Sequence, residues 1–119
     1  MAALLILFVS ITRETMTQFD VFVNPIAAAR RAYPFVVVMQ SDFARDVLDP
    51  IVAPLIPRES ISKIAGRLTP IVTFQGSEHV VLVPALTGVR SRELAERRGS
   101  IASARSEVLA ALDYLFFGI

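Results

Sequence analysis

At 119 residues the chain is long enough for one hydrophobic core and too short for two. Apolar residues make up 54% of it, above the usual range for a globular domain, which points to a buried dimer interface or a sticky binding surface. A formal charge of +1 leaves no electrostatic footprint for nucleic acid, the lack of Cys excludes disulfides, thiolate catalysis and Cys-based zinc sites, and the single His excludes a His pair on a metal.

No cofactor is expected, and a chain without Cys is compatible with a reducing cytoplasm. Residues 1–15 open on MAALLILFV, an apolar run of under ten residues, whereas a membrane span needs about 20. No Lys or Arg precedes the run and no small-residue cleavage site follows it, so it is a poor secretory signal. A second Met stands at position 16. Residues 1–15 are therefore expected to lie outside the fold, as an over-extended reading frame or a weak membrane-associated leader, with the domain running over 16–119.

From Thr17 the hydrophobic period becomes two. TQFDVFV places Phe19, Val21 and Val23 on one side and Asp20 on the other, which predicts a strand. Asn24 to Pro34 predicts a loop or short irregular helix between an Asn-Pro turn and a Tyr-Pro stop. FVVVMQ is a β-branched strand of the kind buried on both faces. SDFARDVLDP is a capped helical turn or an exposed loop. IVAPLIP is a strand that Pro54 demotes to a sheet edge or bulge, because proline has no N–H for the ladder. RESISKIAGRL allows one or two helical turns before Pro70. PIVTF and HVVLV flank QGSE and predict a hairpin. PALTGVRSRELAERRG reads as irregular, with room for one short helix.

The last segment predicts a helix of about four to five turns, capped by Ser100, with Ile101, Ala104, Val108, Leu112 and Leu115 on its core face. Gly118 is expected to end it. At about 100° per residue Phe116 falls on the shoulder of the core stripe. Phe117 falls on the opposite side, above Asp113, Ala110 and Ser106. The chain thus finishes with a Phe aimed at water beside a carboxylate, leaving roughly 1.5–3 kcal/mol of burial unused. A partner surface or a second copy would recover it. The alternative is that Phe117 tucks under a loop of its own chain. The fold class expected is α+β: about five short antiparallel strands followed by one long helix.

MTQFDVFVNP, YPFVVVMQSD, RLTPIV and the ending LDYLFFGI together resemble the CcdB family of toxins from toxin–antitoxin pairs, over Met16 to Ile119. The resemblance implies a small SH3-like barrel or sheet with a C-terminal helix, assembled as a homodimer. It implies a poison that acts by binding and not by catalysis. The target would be the GyrA subunit of DNA gyrase, held with its cleaved DNA, and a CcdA-like antitoxin with a disordered tail would neutralise it. By the same resemblance the gyrase contacts fall on Phe117, Gly118 and Ile119, on Asp113 one turn earlier, and on Phe43 and Ala44 after QSD.

The sequence also departs from the family pattern. Phe117 stands where the family's Trp is expected and Asp113 where an uncharged residue is usual. Ala44 is smaller than its counterpart, Arg45 replaces an acid, and Val89-Arg90 replaces Val-Pro. These changes leave room for a degenerate homologue that binds antitoxin without poisoning gyrase. A third reading is a MazF-like endoribonuclease, with His79, Glu78, Arg31 and Arg67 as candidate groups. The spacing of those four gives no convergence, and His79 reads as a surface or edge residue. For the antitoxin, the strand edges and the loop carrying Arg30 and Arg31 are the expected site, since two cations suit an acidic disordered tail. The bland reading of that Arg pair is solvated surface.

Overall fold

The computed structural model describes residues 16–44, 49–64 and 66–119. Residues 1–15, and Arg45 in the segment after QSD, lie outside the described residues.

Among the described residues, seven strands form one antiparallel sheet: β1 (Asp20–Val23), β2 (Phe35–Val38), β3 (Ile51–Pro57), β4 (Ile71–Phe74), β5 (Ser77–Val81), β6 (Thr87–Gly88) and β7 (Arg97–Ser100). The order is β4-β5-β3-β2-β1-β7, with the two-residue β6 also pairing with β3. A single described α-helix, α1 (Arg105–Phe117), follows. The α+β, SH3-like architecture is therefore as expected, and the strand count is higher. The two additional strands, β6 and β7, come from the segment that reads as irregular. β6 is only two residues long and β7 has no β-branched residue, and pairing with β3 and β1 holds them extended.

Burial follows the two faces of the sheet. One face carries Val21, Val37, Met39, Ala53, Leu55, Val72, Phe74 and Val81, packed against Val108 and Ala111 of α1. The other carries Phe22, Val36, Val38 and Val52, covered by Leu94. Val36, Val37, Val38 and Met39 are all buried, so the run FVVVMQ is a two-faced central strand as its composition demands.

Pro54 is not at an edge. It sits in the middle of β3, opposite Val36 of β2. On the other side of β3, β5 ends its pairing at Leu55↔Val81 and β6 begins at Val52↔Thr87. Leu82 N–H donates to Pro54 O at 2.9 Å. The missing proline N–H thus falls where one neighbouring strand stops and the next has not begun, and a central strand tolerates it.

β1 starts later than the alternation suggests. Phe19, buried, takes φ 69°, a left-handed conformation unusual for a bulky residue. Its N–H donates to Val38 O and its carbonyl accepts from Ile101 N–H, so the strained residue is tied on both sides. Asp20, read on the face opposite Val21, is buried. Its carboxylate accepts from Thr17 N–H at 2.9 Å and from the Arg97 guanidinium at 3.0 Å.

The β4–β5 hairpin closes through Gln75 and Gly76, both at positive φ, the signature of a two-residue type I′ turn. Its tip leans towards the far edge of the sheet, where Gly99 of β7 faces Phe74. A Cβ at Gly99 would stand 3.1 Å from the Phe74 ring, at φ +153°. Gly99→Ala is expected to cost about 1–3 kcal/mol, read as a lowered denaturation midpoint. An unchanged midpoint would show that the ring moves freely aside.

The C-terminal helix is shorter than the pattern predicts. Ser100 does cap, but through Ala102 N–H, at the head of a 3-10 turn over Ala102–Ala104. The α-helical residues begin only at Arg105. The core stripe is otherwise as read: Ala104, Val108, Leu112 and Leu115 face the sheet, joined by Ala111. Other short connections are 3-10 turns at Ala27–Ala29, Asp42–Ala44, Arg58–Ser60 and Gly66–Leu68. Among the described residues, no helix is long and apolar enough to cross a membrane.

Candidate functional site

The end of α1 is an exposed apolar tip. Gly118 takes φ 73° and donates its N–H to Tyr114 O at 3.0 Å, the left-handed cap that glycine accepts without a Cβ penalty. Past that cap nothing covers the side chains among the described residues. Phe117 is 73% exposed and Ile119 80%. Asp113 is exposed too, and its carboxylate has no hydrogen bond or ion pair among the described residues. Phe116, expected on the shoulder of the core stripe, is 62% exposed. The stripe makes its last core contact at Leu115. The last helical turn and the residue after its cap therefore display two adjacent Phe side chains and an Ile.

Tyr114 links this tip to the body. α1 packs on the Gly66–Leu68 turn. From that turn the Arg67 guanidinium carbon lies over the Tyr114 ring, 5.3 Å from its centroid.

Phe43 and Ala44 sit elsewhere. They belong to the Asp42–Ala44 turn in the connection after β2, where Phe43 is 97% exposed and Ala44 half-buried. Gln18 fixes this turn. Its N–H donates to Asp42 Oδ1 at 2.7 Å, its Nε2 donates to Met39 O at 2.9 Å, and its Oε1 accepts from Arg105 at 3.0 Å. Arg105 is the first residue of α1, so the Phe43 turn is tied to the start of the helix. Phe117 is at its end, roughly 18 Å further along at 1.5 Å per residue. Within one protomer the two apolar groups of the expected contact set are not brought together. Gln18 as the anchor is not evident from the sequence, because all its contacts are long-range.

The Asn24–Tyr33 loop is internally tied. The Asn24 side chain donates to Tyr33 O and accepts from Ile26 N–H, and Arg30 Nε donates to Asn24 O at 2.6 Å. Arg30 thus spends one donor on its own loop. Arg31 is exposed and lines a shallow groove of about 290 Å³ with Tyr33, Ile56, Ile61 and Leu82.

His79 is not a surface residue. It is 6% exposed on β5, edge-on to Phe74 at 5.3 Å and tilted against Phe35 at 6.3 Å. Its Nδ1 lies 3.1 Å from Ser77 O, so that nitrogen carries the proton and donates. Glu78, its neighbour in the strand, is exposed on the opposite face. The imidazole serves as an aromatic core side chain, and Arg67 is engaged with Tyr114.

A family model described as "CcdB protein" matches residues 18–118. A search of the curated proteins gave no match. The matched span covers every described strand and all of α1. By that match the chain belongs to the CcdB family, the toxin members of toxin–antitoxin pairs.

Proposed function

We propose that this chain acts by binding the GyrA subunit of DNA gyrase and trapping the enzyme on cleaved DNA, without chemistry of its own. The observation that carries the reading is the exposed tip at Phe117, Gly118 and Ile119, which leaves large apolar side chains in water at the end of a rigid helix. Asp113 flanks it, and Phe43 with Ala44 adds a second exposed apolar turn. A homodimer is part of this reading. The tip and the Phe43 turn lie at opposite ends of α1, and an isologous two-fold repeats both patches, so that Phe43 of one protomer and the tip of the other can form one surface. A cytoplasmic setting follows from the target.

The test is a gyrase reaction. Purified protein, gyrase and supercoiled plasmid, stopped with detergent, should accumulate linear DNA. No linear DNA and uninhibited supercoiling would overturn the reading. Total RNA incubated with the protein should remain uncut.

The cognate antitoxin is proposed to lay an acidic disordered segment along the Arg31 groove. Arg31→Ala should weaken antitoxin binding about fivefold at most, the worth of one exposed ion pair, and lower its salt dependence. Arg30→Ala should act by loosening the Asn24 loop instead, with salt dependence unchanged. Isothermal titration at two salt concentrations separates them. Arg31→Ala binding that equals the parent at both would remove the groove from consideration.

A further inference from the structure

Arg67 is the exposed cation that the apolar tip brings with it. Its guanidinium lies over Tyr114, three residues before Phe117, and Tyr114 O is the acceptor for the Gly118 cap. None of its N–H groups is used in a hydrogen bond or ion pair among the described residues. Lys63, on the same connection between β3 and β4, is exposed and equally unpaired among the described residues. The Tyr ring orders an otherwise flexible side chain, and an ordered guanidinium with free donors is suited to bidentate recognition of a carboxylate. Tyr114 and Arg67 are both exposed, so the ring and the cation are open to the same partner.

We propose that Arg67, held by Tyr114, is a specificity contact of the tip that receives a carboxylate of the protein docking on Phe117. The occupant is an acidic side chain on the target surface, next to the pocket that takes the Phe. Arg67 stacks over Tyr114, about one helical turn before Phe117, so a partner that engulfs the Phe and extends one turn back along α1 reaches the guanidinium as well. This rests on the reading that the tip is the docking site. The charge complementarity is local: with Asp113 on the same helix end, the tip offers one cation and one anion, which orients the partner as well as attracting it.

The experiment is titration of purified GyrA with the parent, Arg67→Ala, Arg67→Lys and Phe117→Ala at two salt concentrations. Thermal midpoints serve as the control for folding. Arg67→Ala is expected to bind about fivefold to tenfold more weakly with a smaller salt dependence, and Arg67→Lys to fall between it and the parent, all with midpoints near that of the parent. Unchanged affinity in Arg67→Ala, with Phe117→Ala binding lost, would overturn the Arg67 assignment and leave the tip reading intact. Weaker binding with unaltered salt dependence would reduce Arg67 to a packing role and overturn the carboxylate assignment. If Phe117→Ala binds as tightly as the parent, the tip reading itself fails, and this proposal falls with it.

Discussion

Removal of Phe117, Gly118 and Ile119 is expected to abolish growth arrest while the protein stays folded. All three residues are exposed, and none belongs to either hydrophobic cluster. The helix would lose its glycine cap and little else, because Leu115 is the last residue packed on the core. The single change Phe117→Ala removes the largest apolar group from a contact that has few. Truncating such an anchor costs about 2–4 kcal/mol of binding, or roughly 30- to 1000-fold in affinity. Phe117→Trp should act the other way, since it adds stacking area and an indole N–H. Induction of each variant in a gyrase-sensitive host, with circular dichroism on the purified proteins, checks the set. A truncated chain that still arrests growth would place the contact elsewhere on the molecule.

Loss of Arg97 is expected to have the largest effect on stability. Asp20 is 1% exposed, and Arg97 supplies its only cation among the described residues. Arg97→Ala leaves a carboxylate buried with the Thr17 N–H as its remaining partner among the described residues. Breaking one side of a buried pair costs about 3–5 kcal/mol, and because the Arg97 side chain is 53% exposed, water softens the loss to about 2–3 kcal/mol. The pair joins β1 to β7, the end strand of the sheet, so the loss should release that edge first. Urea denaturation measures the total, and amide exchange on β7 locates it. Replacing both partners, Asp20→Leu with Arg97→Leu, should recover much of the stability, since no charge is then left unpaired. A single Arg97→Ala variant within about 0.5 kcal/mol of the parent would contradict the account.

The two variants probe different links. Phe117 contributes nothing visible to the core and is proposed to act only against a partner. Arg97 touches no proposed contact and acts through the fold. A growth assay alone would confuse them, because a toxin that unfolds also fails to kill. Stability and binding therefore have to be measured on the same purified samples.

Local pattern was a good guide where one segment controls its own surroundings. The β-branched run at β2, the QGSE hairpin and the apolar stripe on α1 follow from periodicity and turn chemistry, and each is present. The exposure of Phe117 beside Asp113 also follows from helix geometry. Pattern failed where a distant segment decides. Pro54 is tolerated in a central strand because β5 and β6 divide the pairing around it. Asp20 is buried because Arg97, far along the chain, supplies the compensating charge. His79 is buried because Phe35 and Phe74 converge on it from two other strands.

The candidate site divides the same way. Its residue types were legible: an aromatic-Gly-Ile ending, a carboxylate one turn before it, and an apolar pair after QSD. Their distribution was not. The Phe43 turn is tied by Gln18 to the start of α1, and the tip stands at the other end of the helix. Arg67 reaches Tyr114 only because the Gly66–Leu68 turn packs on α1.

By itself, then, the order of residues determined the hairpin, the two-faced central strand, the core stripe of the helix and the greasy end, all of which depend on neighbours within a few positions. Only the tertiary structure decided which strand is central, which carboxylate is buried, and which cation stands beside the tip. The physical reason is that burial and pairing energies depend on what lies across the sheet, and that partner is supplied by residues tens of positions away.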